Sequence, residues 1–221
     1  MMNSIIERKD RKQITKDWLS IFPTFREYKP MHILKRYGPF LVGIHMQTYS
    51  GNTDYEPLVH TYNLMVGFPV ISLGTLTFLL NKKGVKDAIN LGRHNEEFAS
   101  LANRLKEQVL LLQKESLEVG DLISYIKHFA SSSIGYPIEF YTDIVLLLFW
   151  CNKVEEAEEE IVTAKNTIAQ WPASAKQRFG GENGWEEQIR KLMNANTLRN
   201  AVEQQLQKFK LTALEDYGLK C

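Results

Sequence analysis

Two histidines, His45 and His60, are the side chains best placed by sequence to hold a metal ion or move a proton. They fall on neighbouring segments rich in apolar residues, joined by the turn-forming run Ser50-Gly51-Asn52-Thr53-Asp54. With a tight turn centred on Asn52-Thr53 they stand directly opposite each other, within reach of a shared ion. Asp54 and Glu56 add carboxylates from the connection, and His94 approaches from the following helix. That chemistry defines a metal-dependent hydrolase using His45 and His60 as the alternative function. Register decides it, because a one-residue shift sends the two rings to opposite faces. Two ordinary strand histidines, with no metal and no cofactor, are the plainer expectation.

Other catalytic chemistry is written only in fragments. No Glu-x-Lys follows Asp54, although a restriction-type nuclease centre needs one on the neighbouring strand. Cys151 and His128 supply a thiol and a base, but Glu155 opposes thiolate formation. Gly180-Gly181-Glu182-Asn183-Gly184 precedes a helical segment, yet the Lys-Ser/Thr of a phosphate loop is absent. Basic residues near the N-terminus interleave with Trp18, Phe22, Phe25 and Tyr28, a pattern compatible with single-stranded nucleic acid. Acidic residues interrupt it and the formal charge is only +1, so no nucleic-acid partner is expected.

Charge is nevertheless uneven along the chain. Residues 1–40 hold nine Lys/Arg against four Asp/Glu, whereas residues 137–171 hold two against seven. The two patches either neutralise each other internally or stand as separate surfaces. In the acidic segment, Glu155, Glu156, Glu158, Glu159 and Glu160 put five negative charges into six residues. Glu159 lies one turn beyond Glu155, and Glu160 one turn beyond Glu156, so like charges repel along the helix. Such an arrangement does not serve helix stability, but it suits a protein partner with a basic surface. Glu155, Glu156, Glu159 and Glu160 are therefore the expected partner-binding residues. The leading expectation is a non-catalytic cytosolic protein-binding protein. Its concrete form is an immunity-type protein that occludes a toxin's active site through charge-complementary contacts.

These candidates need elements to position them. A chain of 221 residues, 44% hydrophobic and 24% charged, has the composition of a folded globular protein and can bury a core without metals or disulfides. Residues 4–20 predict a helix, opened by a Ser4-x-x-Glu7 capping box and carrying Ile14 and Trp18 inward. Pro23 and Pro30 bracket a turn-rich segment. From Gly38 the period becomes two, with Phe40, Val42, Ile44 and Met46 on one side and Gly43, His45, Gln47 and Tyr49 on the other. Further strands are expected at about Leu58–Met65 and Pro69–Leu79, completing an antiparallel meander. Helical patterning then covers Val85–Leu91, Glu96–Lys114 and the segment after Asp121.

Residues 137–171 read as a helical hairpin. Phe140, Ile144, Leu147, Leu148 and Cys151 form the apolar face of its first helix, and Val154, Ala157, Ile161, Ala164 and Ile168 that of its second. The pair resembles one unit of a tetratricopeptide-type array. No second copy follows at a period of 34, so a repeat protein is not expected. Ala173–Gly184 reads as a loop, and a last helical region is broken at Asn194-Ala195-Asn196. The expected fold is a single α+β domain over 1–221. An N-terminal helix and small antiparallel sheet (about 38–80) occupy 1–81, and a mainly helical region fills 82–221.

Compartment follows from cysteines and hydropathy. Cys151 lies inside an apolar helix and Cys221 is the last residue, an arrangement that predicts two reduced thiols in the cytoplasm. No secretory signal core precedes the first charged residues. Pro57–Asn81 runs for 25 residues without Asp, Glu, Lys or Arg. Gly67, Pro69 and Gly74, with several β-branched and hydroxyl residues, favour buried strands there over a membrane span, so no membrane partner is expected.

Overall fold

Helix α1 (Arg8–Ile21) places Ile14 and Trp18 one turn apart, and both are buried. The Glu7 N–H donates to Asp10 Oδ2 at 2.9 Å and closes the first turn. The expected Ser4 contribution lies outside the described residues, which are 6–49, 51, 53–132 and 135–221 of a computed structural model. In and just after the segment expected to be turn-rich (Pro23–Pro30), β1 (Arg26–Lys29) and β2 (His32–Tyr37) form an antiparallel pair. Met31 makes the reversal at φ 70°, a conformation that disfavours a side chain. Its N–H donates to Thr15 Oγ1 at 2.7 Å, and that hydroxyl donates to Arg11 O at 2.7 Å. Helix α1 thereby holds the turn in place.

Strand β3 (Phe40–Thr48) pairs antiparallel with β2, placing Ile33 opposite Ile44 and His32 opposite His45. The expected alternation is present, but Leu41 and Gly43 on the second face are buried as well. Strand β4 (Asp54–Asn63) lies beside β3 and begins earlier than expected. Two short strands, β5 (Thr77–Phe78) and β6 (Ile89–Asn90), pair antiparallel with β4. The sheet thus spans more of the chain than 38–80.

The strand expected at Pro69–Leu79 shrinks to two residues. Its uncharged composition lacks a period, and Phe68 and Val70 are 47% and 58% exposed. The helix expected at Val85–Leu91 is replaced by a turn and β6. Helix α2 (His94–Gln108) buries Leu101, Ala102 and Leu105 and stops short of Lys114. These elements belong to a first compact unit made of residues up to Tyr62, Val70–Glu115 and Leu211–Gly218. Its last segment is tied to β2, where the Gly38 N–H donates to Asp216 Oδ1 at 2.7 Å and Arg36 pairs with Asp216 at 3.2 Å. Lys35, only 1% exposed, donates to Lys114 O at 2.7 Å beneath the Tyr217 ring, and burial lowers its pKa to about 8.

The second unit comprises Asn63–Pro69, Ser116–Lys210 and Leu219–Cys221. Strand β7 (Leu117–Glu118) leads into α3 (Val119–Ser132), and the hairpin of α4 (Ile138–Trp150) and α5 (Val154–Ala169) follows as expected. In α4 every residue from Ile144 to Leu148 is buried, so this helix is covered almost all round. After α6 (Ala173–Lys176), α7 (Gly181–Leu192) starts inside the expected glycine loop. Within its first turn, a Cβ at Gly184 would sit 2.5 Å from Phe179 O, so the chain leaves no room for a side chain there. The break at Asn194 is present, with its side-chain oxygen capping α8 (Ala195–Lys208). Strand β8 (Leu219–Lys220) pairs in parallel with β7. Cys151 and Cys221 are joined by a disulfide with Cα atoms 5.0 Å apart, which overturns the expectation of two reduced thiols.

The chain is thus an α+β protein with a small antiparallel sheet and helices in its C-terminal half. Among the described residues, no helix is long and apolar enough to cross a membrane.

Candidate functional site

In the first unit, β2 and β3 put His32 directly opposite His45, and His60 joins them from β4. The His32 ring centroid lies 5.2 Å from that of His45 and 4.9 Å from that of His60. Gly43 makes this possible. A Cβ built on Gly43 would lie 2.1 Å from His60 Nε2, so the imidazole occupies the space a side chain would need. His32 Nε2 and His60 Nε2 are 2.7 Å apart. His60 Nδ1 faces Thr61 O at 3.5 Å, which places the proton of neutral His60 on Nδ1 and makes its Nε2 the acceptor. His32 is then the donor. His45 Nδ1 is buried with no hydrogen-bond partner among the described residues.

Burial sets the charge state of all three rings. It lowers the His32 pKa to about 2, helped by His60, His45 and Lys29, and that of His60 to about 3. It lowers His45 as well. At neutral pH the cluster is therefore uncharged, as metal ligands must be. The spacing is less suitable. A tetrahedral zinc with bonds of about 2.0–2.1 Å separates two nitrogens by roughly 3.4 Å, more than the 2.7 Å found between His32 and His60. Among the described residues, no group of three His, Cys, Asp or Glu side chains is arranged to hold a metal ion.

The other members imagined for this site are engaged elsewhere. Asp54 accepts from Asn90 Nδ2, and Glu56 from the Tyr49 hydroxyl at 3.2 Å. His94 uses both ring nitrogens in another network, with Nε2 3.0 Å from Asp17 Oδ2 and Nδ1 2.8 Å from the Tyr55 hydroxyl. Trp18 Nε1 donates to the same hydroxyl at 3.1 Å. Tyr55 is wholly buried and His94 nearly so, which makes this Asp-His-Tyr chain a clamp joining α1, β4 and α2. His32 escapes sequence reasoning because residues 31–37, between the turn-rich segment and the alternation that starts at Gly38, carry no strand period.

In the second unit the acidic run divides by partner. Glu158 receives a bidentate pair from Arg190 of α7, with both distances 2.8 Å. Glu160, with a side chain 11% exposed, is paired to Lys127 of α3 at 2.6 Å. Glu156 meets Lys153 at 2.9 Å on the surface. Glu155 and Glu159 are exposed, and among the described residues no ion pair engages either. Val162, 58% exposed, continues their stripe at i+7 from Glu155. Cys151, set as a core residue by its sequence surroundings, is half-buried and caps α4 at the corner that leads into this face.

Comparison with protein-family models, curated proteins and solved structures finds no match to the chain.

Proposed function

We propose that this protein is a non-catalytic cytoplasmic protein-binding protein that docks a basic partner on the outer face of α5. One observation carries this reading: Glu155, Glu159 and Val162 form a solvent-facing stripe that pairs two carboxylates, without an ion-pair partner among the described residues, with an exposed apolar side chain. Carboxylates of this kind steer a basic partner, and the valine that ends the stripe adds apolar burial. An immunity-type protein that neutralises a toxin is the concrete form of the proposal. Glu156 contributes from the rim, since its pair with Lys153 is exposed and weak. Glu160 belongs to the same acidic surface but also anchors α5 to α3.

The test is a Glu155→Gln/Glu159→Gln variant, assayed against a partner captured with the intact protein. Association should slow several-fold and its salt dependence should flatten, with dissociation little changed. Glu160→Gln should in addition lower thermal stability by breaking the Lys127 pair. Identical association rates for the double variant and the parent would remove this face from the interface.

A metal-dependent hydrolase using His45 and His60 is the second reading, supported by the convergence of both rings with His32. Elemental analysis of purified protein separates the two. The binding reading expects no stoichiometric zinc, manganese or iron. One equivalent that disappears in His45→Ala or His60→Ala would overturn the binding reading.

A further inference from the structure

The disulfide lies at the same corner as the proposed docking face. Cys151 caps α4, Asn152 reverses the chain at φ 59°, and Glu155 follows in the first turn of α5. On the other side, Cys221 is exposed and continues from β8, whose ladder to β7 is only the two pairs Leu117–Leu219 and Glu118–Lys220. The accompanying Lys220–Glu118 ion pair, at 3.3 Å, is exposed on both sides. Such a contact adds little. Two ladder pairs and a surface ion pair are a weak hold on a strand, so within the second unit the covalent bond is the strongest tether of residues 219–221.

We propose that the Cys151–Cys221 bond is a redox-sensitive strap that fixes the α4–α5 corner and thereby regulates the α5 docking face. The inference rests on the proposed cytoplasmic binding role, because disulfides in that compartment are usually transient and redox-sensing. A dithiol reductant is the co-reactant. Its thiolate attacks the exposed Cys221 Sγ, forming a mixed disulfide while the S–S bond breaks and Cys151 leaves as a thiolate. The reductant's second thiolate then displaces Cys221. Two electrons pass to the protein, two protons end on Cys151 and Cys221, and the reductant becomes the disulfide. Residues 219–221 leave β7, and the turn at 151–153 loses its tether.

The experiment is hydrogen exchange of the intact protein with and without dithiothreitol, together with a count of reactive thiols under native conditions. Reduction should expose two thiols without denaturant. Exchange at Leu117–Glu118 and across Cys151–Glu155 should accelerate about tenfold, while α2 and β3 keep their protection. A Cys221→Ser variant should exchange like the reduced protein in both conditions, and Cys151→Ala/Cys221→Ala provides the same reading without a residual thiol. Thiols that appear only on denaturation, unchanged exchange at 151–155, or unfolding of the whole second unit on reduction would each overturn the strap. No partner enters this measurement, so its failure is separable from failure of the α5 docking surface.

Discussion

Acidification from pH 7 to pH 5 should destabilise the first unit by about 4 kcal/mol, roughly 2 kcal/mol for each of His32 and His60. Both rings are neutral in the folded state, with pKa values lowered from 6.5 to about 2 and about 3. In the unfolded chain they protonate as pH falls through 6.5, so the unfolded state binds more protons below that value. Stability is therefore complete above about pH 7 and declines steadily as pH falls toward the folded pKa values. His45, lowered by burial too, adds in the same direction. Tyr28 packs edge-on against His32, and the nearby Lys29 opposes charging of the ring. Urea denaturation followed at pH 5, 6 and 7 reads the slope directly. His60→Gln should reduce the pH-dependent part by close to half, whatever it does to stability at pH 7. An acid slope unchanged in that variant would mean the cluster is open to water in solution.

Leu147→Ala should cost about 2–5 kcal/mol, through lost apolar burial and the cavity left behind. Leu147 is fully buried in the C-terminal half of α4, with Ile144, Val145, Leu146 and Leu148 buried around it. A helix covered on nearly every side cannot shift toward the gap without opening another, so the upper half of that range is expected. The loss should show in urea denaturation and as faster exchange across α4 and α5. An effect below about 1 kcal/mol would mean that this helix repacks freely, which a close-packed core does not permit.

The sequence was legible where period and burial agree. Phe40, Val42, Ile44 and Met46 alternate and do face one side of β3, and Ile161, Ala164 and Ile168 face the interior from α5. It misled where burial covers two faces or where composition lacks a period. Strand β2 buries Ile33, Leu34 and Lys35 in succession, so no alternation survives to mark it, and its turn uses Met31 in place of Gly or Asn. Residues 64–76 are apolar without rhythm and form little regular structure. At the candidate site, the convergence of His45 and His60 was readable as a possibility, but His32 required the unseen strand. The disulfide was hidden because a separation of 70 residues says nothing about proximity. In the acidic run, the count of charges was visible, whereas the loss of Glu158 and Glu160 to Arg190 and Lys127 depends on how α3, α5 and α7 meet.

The empty position at Gly43 also bears on how the sheet finds its alignment. His60 fits over β3 only where a residue has no side chain, and the neighbours Leu41, Val42, Ile44 and His45 all carry one. Sliding β4 along β3 by two residues in either direction would set Leu41 or His45 where Gly43 now leaves room, and a one-residue slip would turn the ring to the other face. Apolar patterning alone discriminates poorly here, since β3 is buried on both faces and a slipped strand still buries apolar groups. The histidine and the glycine thus fit as key and keyhole, favouring the one alignment in which the imidazole has room.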